Sequence, residues 1–331
     1  GDEILTCALN FATPISSILQ NNLRPVLVDT KLGNYTMDTS MLEDAISEKT
    51  KAILAVHIFG NSCNMDDVMR IAEEHNLYVI EDCCDAHGTV YDGKKVGSIG
   101  NMGTFSFYPA HQMTLMEGGA ITTSDDQLSY LLKSLRMWGR ALPCKFCGND
   151  MSKSCPINHN YNIAGMENYD MSYLFINIGF NSKLLELQGG FGLEQLARLD
   201  EFNKIRGDNF NYIVNALKPY EDQLVLPQAD KKSKPVWYSI PLTVSPNAGF
   251  KREDILKMLT EAKIEYRNLF TGNIMKQPAF RNVNFRVHGS LNNADLTTTN
   301  SFFIGCYQGI TKEMREYIVE KLTQFLDSHR R

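Results

Sequence analysis

The sequence predicts an α/β protein with a largely parallel sheet, followed by a smaller α+β domain. Short apolar runs alternate with helical patterns along the first half of the chain, a spacing typical of right-handed βαβ units. Composition is the second observation, since 331 residues that are 43% hydrophobic can bury a full core and have the length of about two domains. We expect a large domain over residues 1–217 and a small domain over residues 218–331.

The expected strands of the first half are short apolar runs bounded by polar or turn-forming residues. They span Ile4–Ala8, Arg24–Asp29, Lys51–Ile58, Leu77–Glu81, Gly103–Tyr108 and Gly119–Thr123. Between them, apolar residues at helical spacing predict helices at Thr13–Asn21, Met65–His75 and Asp126–Met137. Asn64 is the expected N-cap of the second helix, because its side-chain oxygen can accept from an N–H group of the first turn.

The pattern breaks between residues 141 and 170, where Asn, Cys, Pro and Gly are dense and no periodicity remains. A loop of this length within a domain is usually functional. Helical spacing returns over Ser182–Leu217, and residues 219–235 connect to the small domain. In that domain we expect an alternating strand after Pro235 and helices at Arg252–Ala262 and Lys312–Leu326.

Charge and hydropathy exclude several classes of function. The net charge is 33 − 38 = −5 and no Lys/Arg block stands out, so we expect no nucleic-acid partner. No apolar run approaches the roughly 18–20 residues of a membrane span, and the opening Gly-Asp-Glu-Ile-Leu is not a signal peptide. We therefore expect a cytoplasmic protein that does not associate with a membrane. Because the chain opens so close to a strand, we also expect further residues upstream.

Polar motifs follow three of the expected strands, at the ends where open parallel sheets bind ligands. Asn10-Phe11-Ala12-Thr13 follows the first strand, the run Glu-Asp-Cys-Cys-Asp-Ala-His-Gly begins at Glu81, and the run Phe-Ser-Phe-Tyr-Pro-Ala-His ends at His111. Taken singly, Asp82 could cap a helix and His111 could be a structural histidine. Their convergence at one edge of the sheet favours a binding site.

These motifs, with Glu-Gly-Gly-Ala from Glu117 and Gly-Phe-Asn-Ser-Lys over residues 179–183, resemble the DegT/DnrJ/EryC1/StrS family of PLP-dependent sugar aminotransferases. The resemblance covers essentially the whole chain and implies the fold type I architecture, with the cofactor bound by residues 1–217. It implies that Asp82 faces the pyridine nitrogen and keeps it protonated, so that the ring acts as an electron sink. Phe11 would stack on the ring and Ser106 would contact the cofactor phosphate, which Asn181 would reach from the other subunit of a homodimer.

One residue departs from the aminotransferase pattern. His111 stands where these enzymes carry the Schiff-base lysine, and the nearest lysines, Lys95 and Lys133, lie outside the motif. An imidazole can still move a proton at neutral pH, because its ordinary pKa is about 6.5. The resemblance is thus to the deoxysugar 3-dehydratases. They hold pyridoxamine phosphate (PMP) without a covalent bond and use the histidine as a base while the C3 hydroxyl leaves a nucleotide-linked 4-keto-6-deoxy sugar.

The cysteines bear on how such an enzyme completes its cycle. Cys84, Cys144, Cys147 and Cys155 have the spacing C-x59-C-x2-C-x7-C, which supplies four thiolates, the number that a 2Fe–2S cluster needs. The last three lie in the loop 141–170. This pattern resembles that of the CDP-6-deoxy-hexulose 3-dehydrases, which implies a CDP-linked substrate. It also implies an NAD(P)H-dependent iron–sulfur flavin reductase as the electron donor.

Three alternatives stay open. Cysteine spacing alone also fits a four-thiolate zinc site. The second alternative is a metal-free, GDP-sugar branch of the dehydratases, which is recharged by glutamate. The third is a catalytically inactive homologue that only binds a nucleotide sugar.

Cys83 is expected to face away from the cysteine site, because neighbouring residues of an extended chain point in opposite directions. Cys7, Cys63 and Cys306 are expected to be small buried residues.

Two further features concern substrate and cofactor. The segment Tyr-Arg-Asn-Leu-Phe-Thr-Gly-Asn, which begins at Tyr266, resembles the family segment that lines the sugar pocket. Arg267 and Asn273 are therefore candidate substrate contacts, with a surface ion pair as the alternative for Arg267. The family's Ser/Thr-rich phosphate-binding turn does not precede Gly1. Either the chain continues upstream or the phosphate pocket is incomplete, and a non-covalent PMP depends on such contacts.

Overall fold

The computed structural model of the protein describes residues 1–141, 160–170 and 173–330. In chain order the strands are β1 (Glu3–Cys7), β2 (Arg24–Val28), β3 (Thr50–Val56), β4 (Tyr78–Asp82), β5 (Val90–Tyr91), β6 (Lys94–Lys95), β7 (Met102–Ser106), β8 (Gly119–Thr122), β9 (Asn160–Ile163), β10 (Met166–Asp170), β11 (Leu224–Val225), β12 (Ser233–Lys234), β13 (Ser239–Val244), β14 (Tyr266–Arg267), β15 (Arg286–Val287) and β16 (Ser301–Gly305). The α-helices are α1 (Ala12–Gln20), α2 (Leu42–Ala45), α3 (Met65–Glu74), α4 (Asp126–Arg136), α5 (Glu186–Leu217), α6 (Arg252–Glu261), α7 (Asn292–Asn300) and α8 (Lys312–Ser328).

A seven-stranded sheet has the order β15-β2-β1-β3-β4-β7-β8. Every neighbouring pair is parallel except β7 and β8, which pair antiparallel. The prediction of a largely parallel sheet is therefore confirmed. Because β1, β4 and β7 run in the same direction, the residues that follow them meet at one edge of the sheet.

The strands of this sheet read as continuous apolar runs because helices cover the sheet. All five residues of β1 are buried, and Leu5 and Ile53 are inaccessible to solvent. Helix α3 packs on β3 and β4 through residues at helical spacing, including the buried Ile71. Its N-cap is Asn64, whose side-chain oxygen accepts from the Asp67 N–H at 3.3 Å, so this cap prediction is confirmed.

A second sheet, with the order β11-β13-β16-β14, is antiparallel throughout. All six residues of β13 are buried, and α6 packs against α8 beside it, with Leu259 and Leu322 inaccessible to solvent. This is the expected α+β part of the chain. Contacts group Gly1–Thr122 with Phe191–Arg331 in one compact unit and Thr123–Gly190 in another, and the domain boundary after residue 217 stays a prediction.

Several elements differ from the sequence expectation; the short elements α2, β5 and β6, for example, were not predicted. Residues 160–170 contain the antiparallel hairpin β9–β10, with Gly165 at a φ of 80° between its strands. The loop prediction is wrong there because the polar residues of these two short strands give no apolar alternation. Helix α7 is also absent from the prediction, since it buries only Ala294 and Thr297. Within residues 1–141, 160–170 and 173–330, no helix has both the length and the apolar character that crossing a membrane requires.

The buried carboxylate of Glu81 holds the loop that lies beside the carboxyl end of β4. Its oxygens accept backbone N–H bonds from Gly97 at 2.8 Å, Ile99 at 2.8 Å and Gly100 at 2.7 Å, and His57 Nε2 lies 3.1 Å away. Burial alone would raise the pKa of Glu81, but the His57 and backbone donors outweigh it and hold the pKa below its ordinary value. Glu81 is therefore an ionised structural group that holds the loop from Gly97 to Gly100 beside the carboxyl end of β4.

Replacing Glu81 by glutamine should lower the free energy of unfolding by about 1–3 kcal/mol at neutral pH, since the amide cannot accept from all four donors. The lowered pKa of Glu81 means that its contribution is present above the unfolded pKa of about 4.3 and is lost as the pH falls through the folded value. The variant should lack this acid-sensitive part. Thermal unfolding at a series of pH values measures both effects. The exposed Glu43→Gln, which removes an ion pair with Arg70, is the matched control. Equal effects of the two substitutions would contradict the role of Glu81.

Candidate active site

The carboxyl ends of β1, β4 and β7 open onto a cavity of about 800 Å³. This volume lies within the range of cofactor and substrate sites. The cavity lining includes six of the residues singled out in the sequence, which are Phe11, Asp82, Cys84, Ser106, His111 and Arg267. The topology brings them together because they end or follow parallel strands of one sheet or, for Arg267, belong to β14 of the second sheet. We call this space the first cavity.

Asp82 is the last residue of β4 and lines the first cavity. Its Oδ1 accepts from the Cys84 N–H at 3.1 Å. Within the part of the chain that the structure describes, no lysine or arginine forms an ion pair with it. Burial raises the pKa of Asp82, and the neighbouring charge of Asp85 raises it further. The site therefore holds a half-buried carboxyl group that would gain from a cationic ligand.

His111 lies in the turn after β7, beside a second carboxylate. Its Nδ1 is 3.4 Å from Asp85 Oδ1 without the alignment of a hydrogen bond, so the pair attracts only through charge when the imidazole is protonated. Asp85 is itself held in place, because its Oδ2 accepts from the Phe59 N–H at 3.2 Å and its carbonyl oxygen accepts from Gln112 Nε2. We assigned Asp85 no role from the sequence. The available signal was the spacing Asp-x-x-Asp directly after a strand.

The position of His111 is set by its backbone and by aromatic neighbours. Its N–H donates to the Tyr108 carbonyl at 3.1 Å, and its own carbonyl accepts from Arg206 Nη2 at 3.3 Å. The ring centroids of Tyr238 and Tyr108 lie 5.6 Å and 6.2 Å from that of the imidazole. These contacts keep the imidazole in the cavity wall while its Nδ1 has no hydrogen-bond partner among the described residues.

Ser106 ends β7, and a buried histidine fixes it there. His87 Nε2 donates to the Ser106 carbonyl at 2.8 Å, while the rings of Phe105 and Phe107 pack against the imidazole. Burial lowers the pKa of His87 to about 4, so the ring is neutral at physiological pH and cannot act as a cation in the site. The Ser106 hydroxyl accepts from the Tyr108 N–H at 3.2 Å. His87 is thus a structural residue of the Ala-His-Gly motif.

The remaining predicted contacts fall in different places. Phe11 is 54% exposed at the mouth of the first cavity, with its ring edge-on to Phe270. Arg267 lines the same cavity and forms an ion pair with Glu265. Asn181 belongs to the compact unit Thr123–Gly190, where it is exposed and forms a backbone bridge to Met137. Its expected role at the phosphate of a neighbouring subunit stays a prediction.

Asn273 does not line the first cavity. It is buried, its Nδ2 donates to Asp295 Oδ1 at 2.7 Å, and its side-chain oxygen accepts from the Met275 N–H at 3.1 Å. The side chain therefore caps the short 3₁₀ turn that follows it. Sequence reasoning missed this because a cap and a substrate contact use the same amide group.

The two adjacent cysteines have different surroundings. Cys84 lines the first cavity, whereas Cys83 is inaccessible to solvent. Burial raises the pKa of the Cys84 thiol, and the charge of Asp82 raises it further. The other cysteines of the described chain are buried, as expected; they are Cys7, Cys63 and Cys306. Cys144, Cys147 and Cys155 lie outside the described residues, so the four-cysteine site stays a prediction.

The sheet order and the site at its carboxyl edge define the fold of PLP-dependent sugar aminotransferases and dehydratases. The profile of the DegT/DnrJ/EryC1/StrS aminotransferase family matches residues 1–323, and the chain belongs to this family. The lipopolysaccharide biosynthesis protein RfbH of Salmonella typhimurium is 41% identical over 326 residues, which are 98% of this chain and 74% of the relative.

Two further relatives are named for a reaction. The dTDP-4-dehydro-2,6-dideoxy-D-glucose 3-dehydratase of Saccharopolyspora spinosa is 37% identical over 98% of this chain and 70% of its own length. The structure of the E. coli GDP-4-keto-6-deoxy-D-mannose-3-dehydratase with bound hydrated PLP aligns with a TM-score of 0.85 and 28% identity. The alignment covers 97% of this chain and 80% of the E. coli chain.

Replacing Asp82 by asparagine should stabilise the cofactor-free protein at neutral pH by on the order of 1 kcal/mol, since the amide keeps an acceptor for the Cys84 N–H and removes a buried charge. A raised folded-state pKa means that wild-type stability falls as the pH rises from the unfolded value of about 3.9 through the folded one. The variant should not show this fall. Chemical denaturation at acid and neutral pH measures the difference, with the exposed Asp222→Asn as control. If the free energy of unfolding of the variant equals that of the wild type at every pH, the Asp82 carboxylate does not destabilise the cofactor-free protein.

Proposed function

We propose that this chain is a PMP-dependent nucleotide-sugar 3-dehydratase, in which His111 is the proton-transfer base. The observation that carries the proposal is the composition of the first cavity. Among the described residues that line it there is a histidine at the lysine position of the aminotransferases, and there is no lysine. Two relatives that carry reaction names, a dTDP-linked and a GDP-linked 3-dehydratase, support this reaction class.

The described residues fit a pyridine cofactor. Asp82 offers a half-buried carboxylate without a lysine or arginine partner among the described residues, which is what a protonated ring nitrogen needs. Phe11 offers an exposed aromatic face at the mouth, and Ser106 offers a hydroxyl at the end of β7. When bound, PMP supplies the amine that condenses with the C4 ketone and a ring that accepts electrons while the C3 hydroxyl leaves.

The protein's own part in this reaction is to hold and move one proton. The backbone of His111 is held by its bonds to Tyr108 and Arg206, and its imidazole is the general base. Once the ring is protonated, the Asp85 carboxylate beside Nδ1 stabilises the imidazolium by charge. Nε2 is then the atom that takes and returns the proton.

The substrate is a nucleotide-linked 4-keto-6-deoxy sugar. The names of the dehydratase relatives support this class, and they state neither CDP nor an iron–sulfur cluster. We therefore place the metal-free dehydratase first, with the cofactor amine restored by glutamate.

A second candidate is the reductive enzyme, in which a 2Fe–2S cluster held by Cys84, Cys144, Cys147 and Cys155 receives electrons from a flavin reductase. The observation that favours it is the position of Cys84, which lines the same cavity as Asp82 and follows it by two residues. A cluster at that position would lie close to the ring and could deliver electrons one at a time. CDP as the nucleotide, the reductase and a homodimeric state belong to this candidate as proposals.

His111→Asn should leave PMP binding intact and slow loss of the C3 hydroxyl by roughly 10²–10⁴-fold, the usual contribution of a positioned base. Exchange of the cofactor's C4′ proton with solvent, followed by NMR, reports the step directly. Asp82→Asn is the contrasting variant, since leaving a buried pyridinium without its carboxylate partner costs about 3–5 kcal/mol and should weaken PMP binding by roughly 10²–10⁴-fold. A near-normal rate of C4′ proton exchange in His111→Asn would contradict the role of His111 as the base.

The cluster is tested by purification without air. If the four cysteines hold it, the protein is brown and contains about two irons and two sulfides per chain. Cys84→Ser and Cys147→Ser should then bleach it, while Cys83→Ala, at the neighbouring buried position, should keep the colour. A colourless wild-type protein that contains zinc, or no metal, and still removes the C3 hydroxyl identifies the metal-free dehydratase.

A further inference from the structure

Tyr238 lies beside the proposed base, in a wall between two cavities. A second cavity, of about 760 Å³, adjoins the first. Five residues line both cavities and form this wall: Tyr108, His111, Tyr238, Arg267 and Phe303. Within the wall, the ring centroids of Tyr238 and His111 are 5.6 Å apart. The phenol and the imidazole therefore border the same ligand space.

The backbone and the ring of Tyr238 are both held in place. Its N–H donates to the Phe59 carbonyl oxygen at 2.8 Å, and its own carbonyl oxygen accepts from Arg206 Nη1 at 3.0 Å. The ring packs against Phe270 and Phe303, whose ring centroids lie 6.3 Å and 6.2 Å away. These contacts restrict where the hydroxyl group can lie, which is what a group that acts on a reacting atom requires.

The hydroxyl group of Tyr238 is free to bind a ligand. A tyrosine whose ring is packed in the protein usually gives its hydroxyl a hydrogen-bond partner, as Tyr35 does with Thr243. The Tyr238 hydroxyl has no such partner within residues 1–141, 160–170 and 173–330. Burial raises the pKa of Tyr238 to about 12, and the charge of Asp85 contributes to the rise, so the phenol keeps its proton at neutral pH.

His111 leaves one proton transfer of the proposed reaction without a dedicated group. Its Nδ1 is buried 3.4 Å from Asp85 Oδ1, so Nε2 is the one imidazole nitrogen that a ligand can use. The Asp85 carboxylate also favours the protonated ring, which makes the imidazole retain a proton that it has taken. Dehydration needs two transfers, because one proton leaves C4′ of the cofactor and one proton must reach the C3 oxygen. A second donor beside His111 supplies the latter.

We infer that the hydroxyl group of Tyr238 donates the proton that the leaving C3 oxygen takes up. This inference rests on the proposed function. As the C3–O bond breaks, its electron pair stays with the oxygen, and the phenol proton forms the new O–H bond of the departing water. The electron pair of the broken C4′–H bond replaces the one that leaves with the oxygen, so the step needs no oxidant or reductant. The phenolate of Tyr238 then regains a proton from the imidazolium of His111, which returns both side chains to their initial state.

The relative acidities of the groups favour this order of transfers. An imidazolium with an ordinary pKa of about 6.5 gives its proton readily to a phenolate whose pKa is about 12. A phenol of that pKa in turn protonates a departing hydroxide, because the pKa of water is about 15.7. The proton that His111 removes from C4′ is thus replaced, through Tyr238, by the proton that leaves in water.

Tyr238→Phe tests the inference, because it removes the hydroxyl group and keeps the packed ring. The PMP-loaded protein is given the keto sugars for which two relatives are named, GDP-4-keto-6-deoxy-D-mannose and dTDP-4-dehydro-2,6-dideoxy-D-glucose. Loss of the C3 hydroxyl should slow by roughly 10²-fold or more, the contribution of a positioned acid. Exchange of the C4′ proton with solvent, which uses His111, should keep most of its rate. Tyr212→Phe, on α5 and outside both cavities, is the matched control and should behave as the wild type does in both measurements.

A second measurement needs no bound cofactor. In the protein labelled with ¹³C at the tyrosine rings, the NMR signal that Tyr238→Phe removes belongs to Tyr238. Its chemical shift should be that of a protonated phenol throughout the neutral pH range, and a phenolate there overturns the inference, because a phenolate has no proton to donate.

The outcomes separate this inference from the proposed function. If the wild type dehydrates the sugar and Tyr238→Phe does so as fast as Tyr212→Phe, Tyr238 is not the donor and the dehydratase proposal stands. The assignment is equally wrong if Tyr238→Phe loses both partial reactions while thermal unfolding shows a folded protein, or if Tyr108→Phe alone slows the loss of the hydroxyl. A wild type that neither exchanges the C4′ proton nor releases the C3 hydroxyl overturns both proposals.

Discussion

The alternation of β4 at its last two residues is the constraint on which the site depends. Successive side chains of a strand face opposite sides, so the buried Glu81 and the half-buried Asp82 meet different environments. Glu81 receives three backbone N–H groups and the ring of His57, which makes it a fixed anion. Asp82 receives a single N–H group from Cys84 and faces a cavity. The carboxylate of Glu81 therefore holds the end of β4, and the carboxylate of Asp82 remains available to a ligand.

The rest of the site is arranged around the wall that carries His111. On one side of this wall the lining is anionic, and on the other it is cationic, so a ligand with a cationic and an anionic part has one favoured orientation across it. Hydrogen bonds hold this wall in place. Arg206 of α5 donates to the carbonyl oxygens of Tyr238 and His111, and Asp85 accepts from Phe59 and Gln112. Orientation of the substrate and orientation of the base thus depend on the same few hydrogen bonds.

Much of the fold could be predicted because apolar runs and helical spacing are local signals. The strands and helices that were predicted in the first half lie within two residues of their observed bounds, whereas α2, β5 and β6 were not predicted. The convergence of Asp82, Ser106 and His111 followed from the parallel sheet alone. What could not be predicted depends on contacts between distant segments. Examples are the partner of His111, the bonds from Arg206 to backbone carbonyl oxygens and the use of Asn273 as a cap. The three-dimensional arrangement sets these contacts, and the residue types alone do not predict them.

The placement of His111 bears on how chemistry can change within this fold. Its side chain projects from a turn after β7, is 13% exposed and forms no hydrogen bond through Nδ1 in the described structure, while its backbone carries the positioning contacts to Tyr108 and Arg206. An exchange of the side chain at this one position therefore leaves the core and the loop in place. The scaffold can therefore carry different side chains at this position, and with them different proton-transfer chemistry, without loss of the fold.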